Sequence, residues 1–120
     1  MLAAVATPAE AKHLESLAAA ARRYADSLEA RNYAAEIQLR AGRRGGQMLI
    51  EMAENGTRRA HEPTSDKPSL VELELGDTPE AARQRSSRWQ ALARKPEAAF
   101  EAYIEKVKAD AEPLGDAGFR

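Results

Sequence analysis

Between Arg83 and Lys95 the chain reads RQRSSRWQALARK, a stretch with no acidic residue. Guanidinium groups pair with phosphate or with a guanine edge, carboxamides with an adenine edge, and hydroxyls with either. At 100° per residue on a helix, Arg83, Ser87, Gln90 and Arg94 share one side. Ala82, Trp89, Leu92 and Ala93 share the adjoining one. Arg83, Ser87, Arg88, Gln90 and Arg94 are therefore the candidate contacts to double-stranded DNA. Trp89, the chain's only tryptophan, is expected to anchor their helix to its neighbours.

A secondary basic zone, Arg40, Arg43 and Arg44, with Arg58 and Arg59 beyond it, would add phosphate contacts or form a solvated face. Its GRRGG core lacks the Gly-Lys-Ser/Thr ending of a phosphate-binding P-loop. His13 and His61 are the only histidines, and neither has metal-ligand spacing to another histidine or a cysteine. Glu51 and Glu54 lack a third ligand, and Ser86 and Ser87 lack a neighbouring base. The expectation is a protein that is not an enzyme, with no metal and no cofactor.

Helices must carry these groups, since no stretch alternates in the manner of a strand. Thr7-Pro8-Ala9-Glu10 has the form of a capping box with proline at the first helical position. Leu14, Leu17, Ala21, Tyr24 and Leu28 then recur at heptad spacing, and a second seam starts at Ala34 and Ile37. Between the seams either the chain folds back at residues 30–32 or one long helix shifts register. With no glycine or proline there, a continuous or bent helix is favoured. Gly42, Gly45 and Gly46 are costly inside a helix, and a close helix crossing or a local break would explain them. Met48, Leu49, Ile50 and Met52 offer either a core face or an adaptable partner surface. Asn55-Gly56 is a C-terminal stop.

Residues 57–68 are polar and aperiodic, as in a linker. Beyond them a short helix is expected over Leu70–Leu75 and a turn at Gly76-Asp77. A second helix, capped by Thr78-Pro79, should run to about Arg94, and a third should follow Pro96 with Phe100, Tyr103, Ile104 and Val107 on its apolar side. Short helix, glycine turn and basic helix make the outline of a helix-turn-helix. Phe100 and Tyr103 would close a trihelical core around Trp89. Residues 111–120 read as a loose tail.

The 120 residues are 43% apolar, much of it alanine, and 5% aromatic. Such helices bury little area per residue, which favours help from a second copy. Leu14, Leu17, Tyr24, Leu28 and Ile37 are the expected dimerisation residues. A net charge of −1 excludes a bulk polycation but not a local basic patch. The absence of cysteine fits a reducing compartment. With neither a signal-like N-terminus nor an apolar run of roughly 20 residues, the reading is a cytoplasmic protein with no membrane partner.

Two blocks, YAAEIQLRAGRRGGQMLIEM and RSSRWQALARKPEAAFEAYI, cover about half the chain. The matching residues are Arg40, Ala41, Arg43, Arg44, Gly46, Leu49 and Met52, then Ser86, Ser87, Arg88, Trp89, Gln90, Leu92, Ala93, Pro96 and Phe100. In this order the blocks resemble a family of small helical phage and mobile-element proteins, and a region of some ParB-like partition and replication proteins. Gly42 and Gly45 depart from that pattern, as do extra residues between Leu75-Gly76 and Ser86-Ser87. The resemblance implies a helix-turn-helix DNA-binding role.

The expected fold is all-α: a long N-terminal helix or helical hairpin over 1–56 that dimerises, a linker over 57–68, a helix-turn-helix-like module over 69–110 and a tail. The expected function is regulatory or accessory DNA binding as a homodimer. The alternative is a helical adaptor or inhibitor that binds a host protein without contacting DNA.

Overall fold

Thr7, Ser27 and Thr78 each start a helix in the same way. Their hydroxyl oxygens accept from the backbone N–H three residues on, at 3.2, 3.1 and 3.1 Å, which satisfies a donor the first turn leaves open. The computed structural model describes residues 5–56, 73–109 and 113–115. These contain α1 (Pro8–Arg23), α2 (Leu28–Glu54), α3 (Pro79–Arg94) and α4 (Glu97–Ala109), and among the described residues there is no strand. Proline opens α1 and α3, where its missing N–H costs nothing. Glu10 accepts from the Ala6 N–H at 3.4 Å, one residue before the expected partner. Asn55 caps α2 and Gly56 follows at φ 68°. Lys95 is extended at the end of α3, because Pro96 disfavours helical geometry before it.

The first two helices form a hairpin. The favoured continuous helix is corrected: the chain breaks at Tyr24–Ser27, several residues before the turn considered at 30–32. The Ser27 cap restarts the helix without glycine or proline. The inward face of α1 is also corrected. Pro8, Ala11, Glu15 and Ala18 are buried, while Leu17 and Tyr24 are 55% and 82% exposed. Leu14 packs at the core edge.

α2 is the shared spine, against which α1, α3 and α4 each pack. Its glycines mark the crossing of α3. A Cβ on Gly45 would lie 2.5 Å from Trp89 Cζ3, and one on Gly46 would lie 2.5 Å from the Trp89 carbonyl carbon. Removing those side chains lets the indole lie on the α2 backbone.

Two apolar clusters flank the spine. Trp89 packs with Val5, Ala11, Met48, Leu49, Leu75 and Ala82. Phe100 packs with Ala35, Leu39, Leu92, Ile104, Val107 and Leu114, with Tyr103 at the edge. The expected trihelical core around Trp89 does not form, because Trp89 and Phe100 belong to different clusters. Met48 and Leu49 are core rather than a partner surface. Of the short helix expected at Leu70–Leu75, Leu73–Leu75 form a turn with Glu74 at φ 65°. Residues 70–72 and the linker at 57–68 lie outside the described residues.

The tail is not loose at 113–115. The Leu114 N–H donates to Asn32 Oδ1 at 2.9 Å, Arg22 donates to the Leu114 carbonyl at 2.9 Å, and the Tyr103 hydroxyl donates to the Gly115 carbonyl at 2.6 Å. Leu114 itself is buried.

Candidate functional site

α3 presents two different polar sides. On the side toward α1, three donors converge on the Glu15 carboxylate. Trp89 Nε1 donates to it at 2.9 Å, Arg85 Nε at 3.3 Å and Arg88 at 3.4 Å. Arg85 also donates to the Leu75 carbonyl, tying the turn before α3 to its second helical turn. Glu15 is only 5% exposed. A buried carboxylate needs such partners, because an unpaired one costs several kcal/mol, roughly 3–5 when a buried pair loses a member. This cluster is structural, and it takes Arg88 away from the expected DNA surface.

The other side is the solvent ridge. Arg83, Ser87 and Arg94 are exposed, with Gln90 half-buried between them. Gln90 donates to the Ser86 hydroxyl at 2.7 Å and accepts from Arg94 at 3.2 Å. These bonds hold the Gln90 amide and the Arg94 guanidinium in line along the helix. Four of the five candidate contacts thus share one side, and Arg88 stands apart.

The secondary basic zone divides. Arg40 donates to both oxygens of Glu101, at 2.8 Å through one nitrogen, and to Glu36 at 3.0 Å. Lys108 donates to Glu36 at 3.0 Å. The Glu101 hydrogen bond, reinforced by Glu36 against the opposing effect of burial, raises the Arg40 pKa. Burial pushes the Glu36 carboxyl up, but hydrogen bonds from Lys108 and Arg40 outweigh it and leave the pKa lowered. The Arg40 hydrogen bond likewise lowers Glu101, and the Glu36 bond raises Lys108. Arg43 donates to the Lys95 carbonyl at 3.0 Å and lies 5.1 Å from the Phe100 ring centroid, a cation–π distance. Arg40 and Arg43 therefore dock α4 and the α3 end rather than face a phosphate. Arg44 is half-buried and has no ion pair among the described residues.

Sequence reasoning missed Glu15, Arg85, Arg22 and Asn32. Glu15 was signalled by its place in the small-residue line Pro8, Ala11, Ala18 at spacings of three and four, a register that the neighbouring leucines obscured. Among the described residues no group of three His, Cys, Asp or Glu side chains is placed to hold a metal. No helix there is long and apolar enough to cross a membrane. His13 is exposed on α1, and His61 lies outside the described residues. Comparison of the chain with protein-family models, with curated proteins and with solved structures found no match.

Proposed function

We propose that the protein binds double-stranded DNA through the solvent ridge of α3, as a dimer in a regulatory or accessory role. The observation that carries this reading is the ridge: Arg83, Ser87, Gln90 and Arg94 line one side of a helix whose inward side is fixed by buried Trp89. A helix fits the major groove, and these side chains suit phosphate and base edges. Arg83 and Arg94 are about 16 Å apart at 1.5 Å per residue, so one helix reaches only a few phosphates. A second copy doubles that number. The resemblance to phage and mobile-element proteins supports the same role.

The test is fluorescence anisotropy on a mixed-sequence duplex pool across a salt series. Log affinity should fall with log salt by about 0.9 per phosphate contacted. An Arg83→Ala/Arg94→Ala variant should bind more weakly, with a slope shallower by about two such units per copy, or about four for the dimer. Absence of binding at low salt, or an unchanged slope in the variant, would sink the reading.

One observation favours the alternative, a helical adaptor that binds a host protein. Leu17, Tyr24, Leu28 and Tyr33 leave apolar surface exposed on the hairpin.

A further inference from the structure

A cleft opens where α1, α2, α3 and the 113–115 segment meet, on a different side of α3 from the ridge. It has two adjoining lobes that share Arg22 and Gln38 as a common wall. The inner lobe, about 290 Å³, is bounded by Arg88 and by the apolar side chains of Ala35, Leu39 and Leu92. The outer lobe, about 670 Å³, is lined by Arg23 and Arg31 beside Arg22.

The charge here is one-sided. Four guanidinium groups (Arg22, Arg23, Arg31 and Arg88) line the cleft, and Glu15 is the one carboxylate among its lining residues. Glu15 is already occupied by Trp89, Arg85 and Arg88. Arg23 and Arg31 have no carboxylate partner among the described residues. Arg22 uses one nitrogen on the Leu114 carbonyl and keeps other N–H donors. The chain as a whole is slightly acidic, so this concentration of positive charge is local.

A second observation points the same way. Gln38 lines both lobes, while its Oε1 is turned into the protein and accepts no hydrogen bond. Orphaned buried acceptors are rare, and a ligand donor is one remedy. Three guanidinium groups around one lobe also exceed what a single carboxylate pairs with. A phosphate monoester offers three terminal oxygens and close to two charges, with the geometry that arginine prefers.

We propose that this cleft binds a small phosphorylated molecule of nucleotide size. Its phosphate lies in the outer lobe against Arg22, Arg23 and Arg31. A turn of the Gln38 side chain brings its Oε1 out to the cleft, where an N–H or O–H group on the ligand body donates to it, and the body rests on Ala35, Leu39 and Leu92. The combined space falls within the range of small-ligand sites. The site is separate from the ridge and does not depend on DNA binding.

Isothermal titration of the full chain with inorganic phosphate, ribose 5-phosphate and the four common nucleoside 5′-monophosphates tests it. At least one phosphomonoester should bind with 1:1 saturation, at least about tenfold tighter than inorganic phosphate, a margin equal to 1.4 kcal/mol. Arg31→Ala, at an exposed position, should weaken that binding about tenfold with unchanged circular dichroism. Gln38→Leu should narrow the gap between the phosphomonoester and inorganic phosphate. Arg83→Ala on the ridge should leave the titration unaltered. The proposal is overturned if no phosphomonoester saturates by millimolar concentration, if all bind no better than inorganic phosphate, or if Arg31→Ala binds like the wild type.

Discussion

The indole N–H of Trp89 donates to the Glu15 carboxylate at 2.9 Å, across 74 positions of sequence. This bond joins the inward line of α1 to the centre of α3, over the glycines of α2. It makes a charged residue part of the core. Arg85 and Arg88 complete its partners from the same helix.

Glu15→Ala should destabilise the protein by about 3–4 kcal/mol. The lower part of the range for a broken buried pair applies because Arg85 and Arg88 retain access to water. Glu15→Gln should cost less, since its amide oxygen still accepts from the indole. Urea denaturation with unchanged m-value measures both. Equal losses for Ala and Gln would show that the indole bond contributes nothing.

Gly45→Ala decides between two opposed effects. In an unencumbered helix the change should stabilise by about 1 kcal/mol. Here the new methyl meets the Trp89 ring, and overpacking costs about 1–3 kcal/mol. A net destabilisation is expected, and the Gly45→Ala/Trp89→Leu double variant should recover part of it. A melting temperature raised by Gly45→Ala alone would contradict the close crossing.

The acid limb of stability should depend on Arg40. Glu36 and Glu101 titrate below their ordinary value of 4.5 in the folded chain. Their contribution is complete above that value and is lost as pH falls through the lowered folded pKa. Arg40→Met removes the pairing to Glu101 and half of that to Glu36. Its stability deficit should therefore be larger at neutral pH than at pH 3. Lys108 acts in the opposite sense: its raised pKa gives a contribution present below the ordinary 10.5 and lost as pH rises through the folded value. Denaturation midpoints from pH 2 to 11 read both limbs, and a pH-independent deficit for Arg40→Met would refute the assignment.

Leu17 and Tyr24 test the dimer. If the hairpin's exposed apolar side meets a second copy, light scattering during size exclusion should give twice the chain mass at micromolar concentration. Leu17→Glu should shift it to a monomer without loss of helicity, because neither side chain is buried within the chain. A wild-type monomer throughout that range would remove the dimer.

Local signals carried the helix ends well. Thr7-Pro8, Thr78-Pro79, Asn55-Gly56 and Pro96 each act within one helical turn, so their effect can be read without knowing any partner. The start of α2 was harder: Ser27 caps it, but the preceding Tyr24–Asp26 holds no glycine or proline to announce a break. The inward face of α1 was misread because size and polarity pulled apart. Close packing favours alanine and one glutamate, which leaves Leu14 at the core edge and Leu17 outside. Spacing places Glu15 on the inward line of α1, but its role could not be read there, since its partners lie in α3. The same applies to Arg40 and Arg43, whose charges are used by α4 and by the end of α3. The tail was misjudged because Leu114 finds its cluster through Asn32 and Arg22, which no local pattern announces.

Trp89 is the only tryptophan in the chain, and its indole is wholly buried where α1, α2 and α3 meet. The molecule thus carries a single indole fluorophore, set at the junction of three helices. Emission excited at the red edge of the absorption band comes from that junction alone, and α4 is dark in it. Because Glu15 touches the indole and also lines the cleft, the same emission should respond to a ligand that enters the cleft. One optical signal, with no label added, follows the closure of the core and gives a direct readout for the ligand proposed for its side pocket.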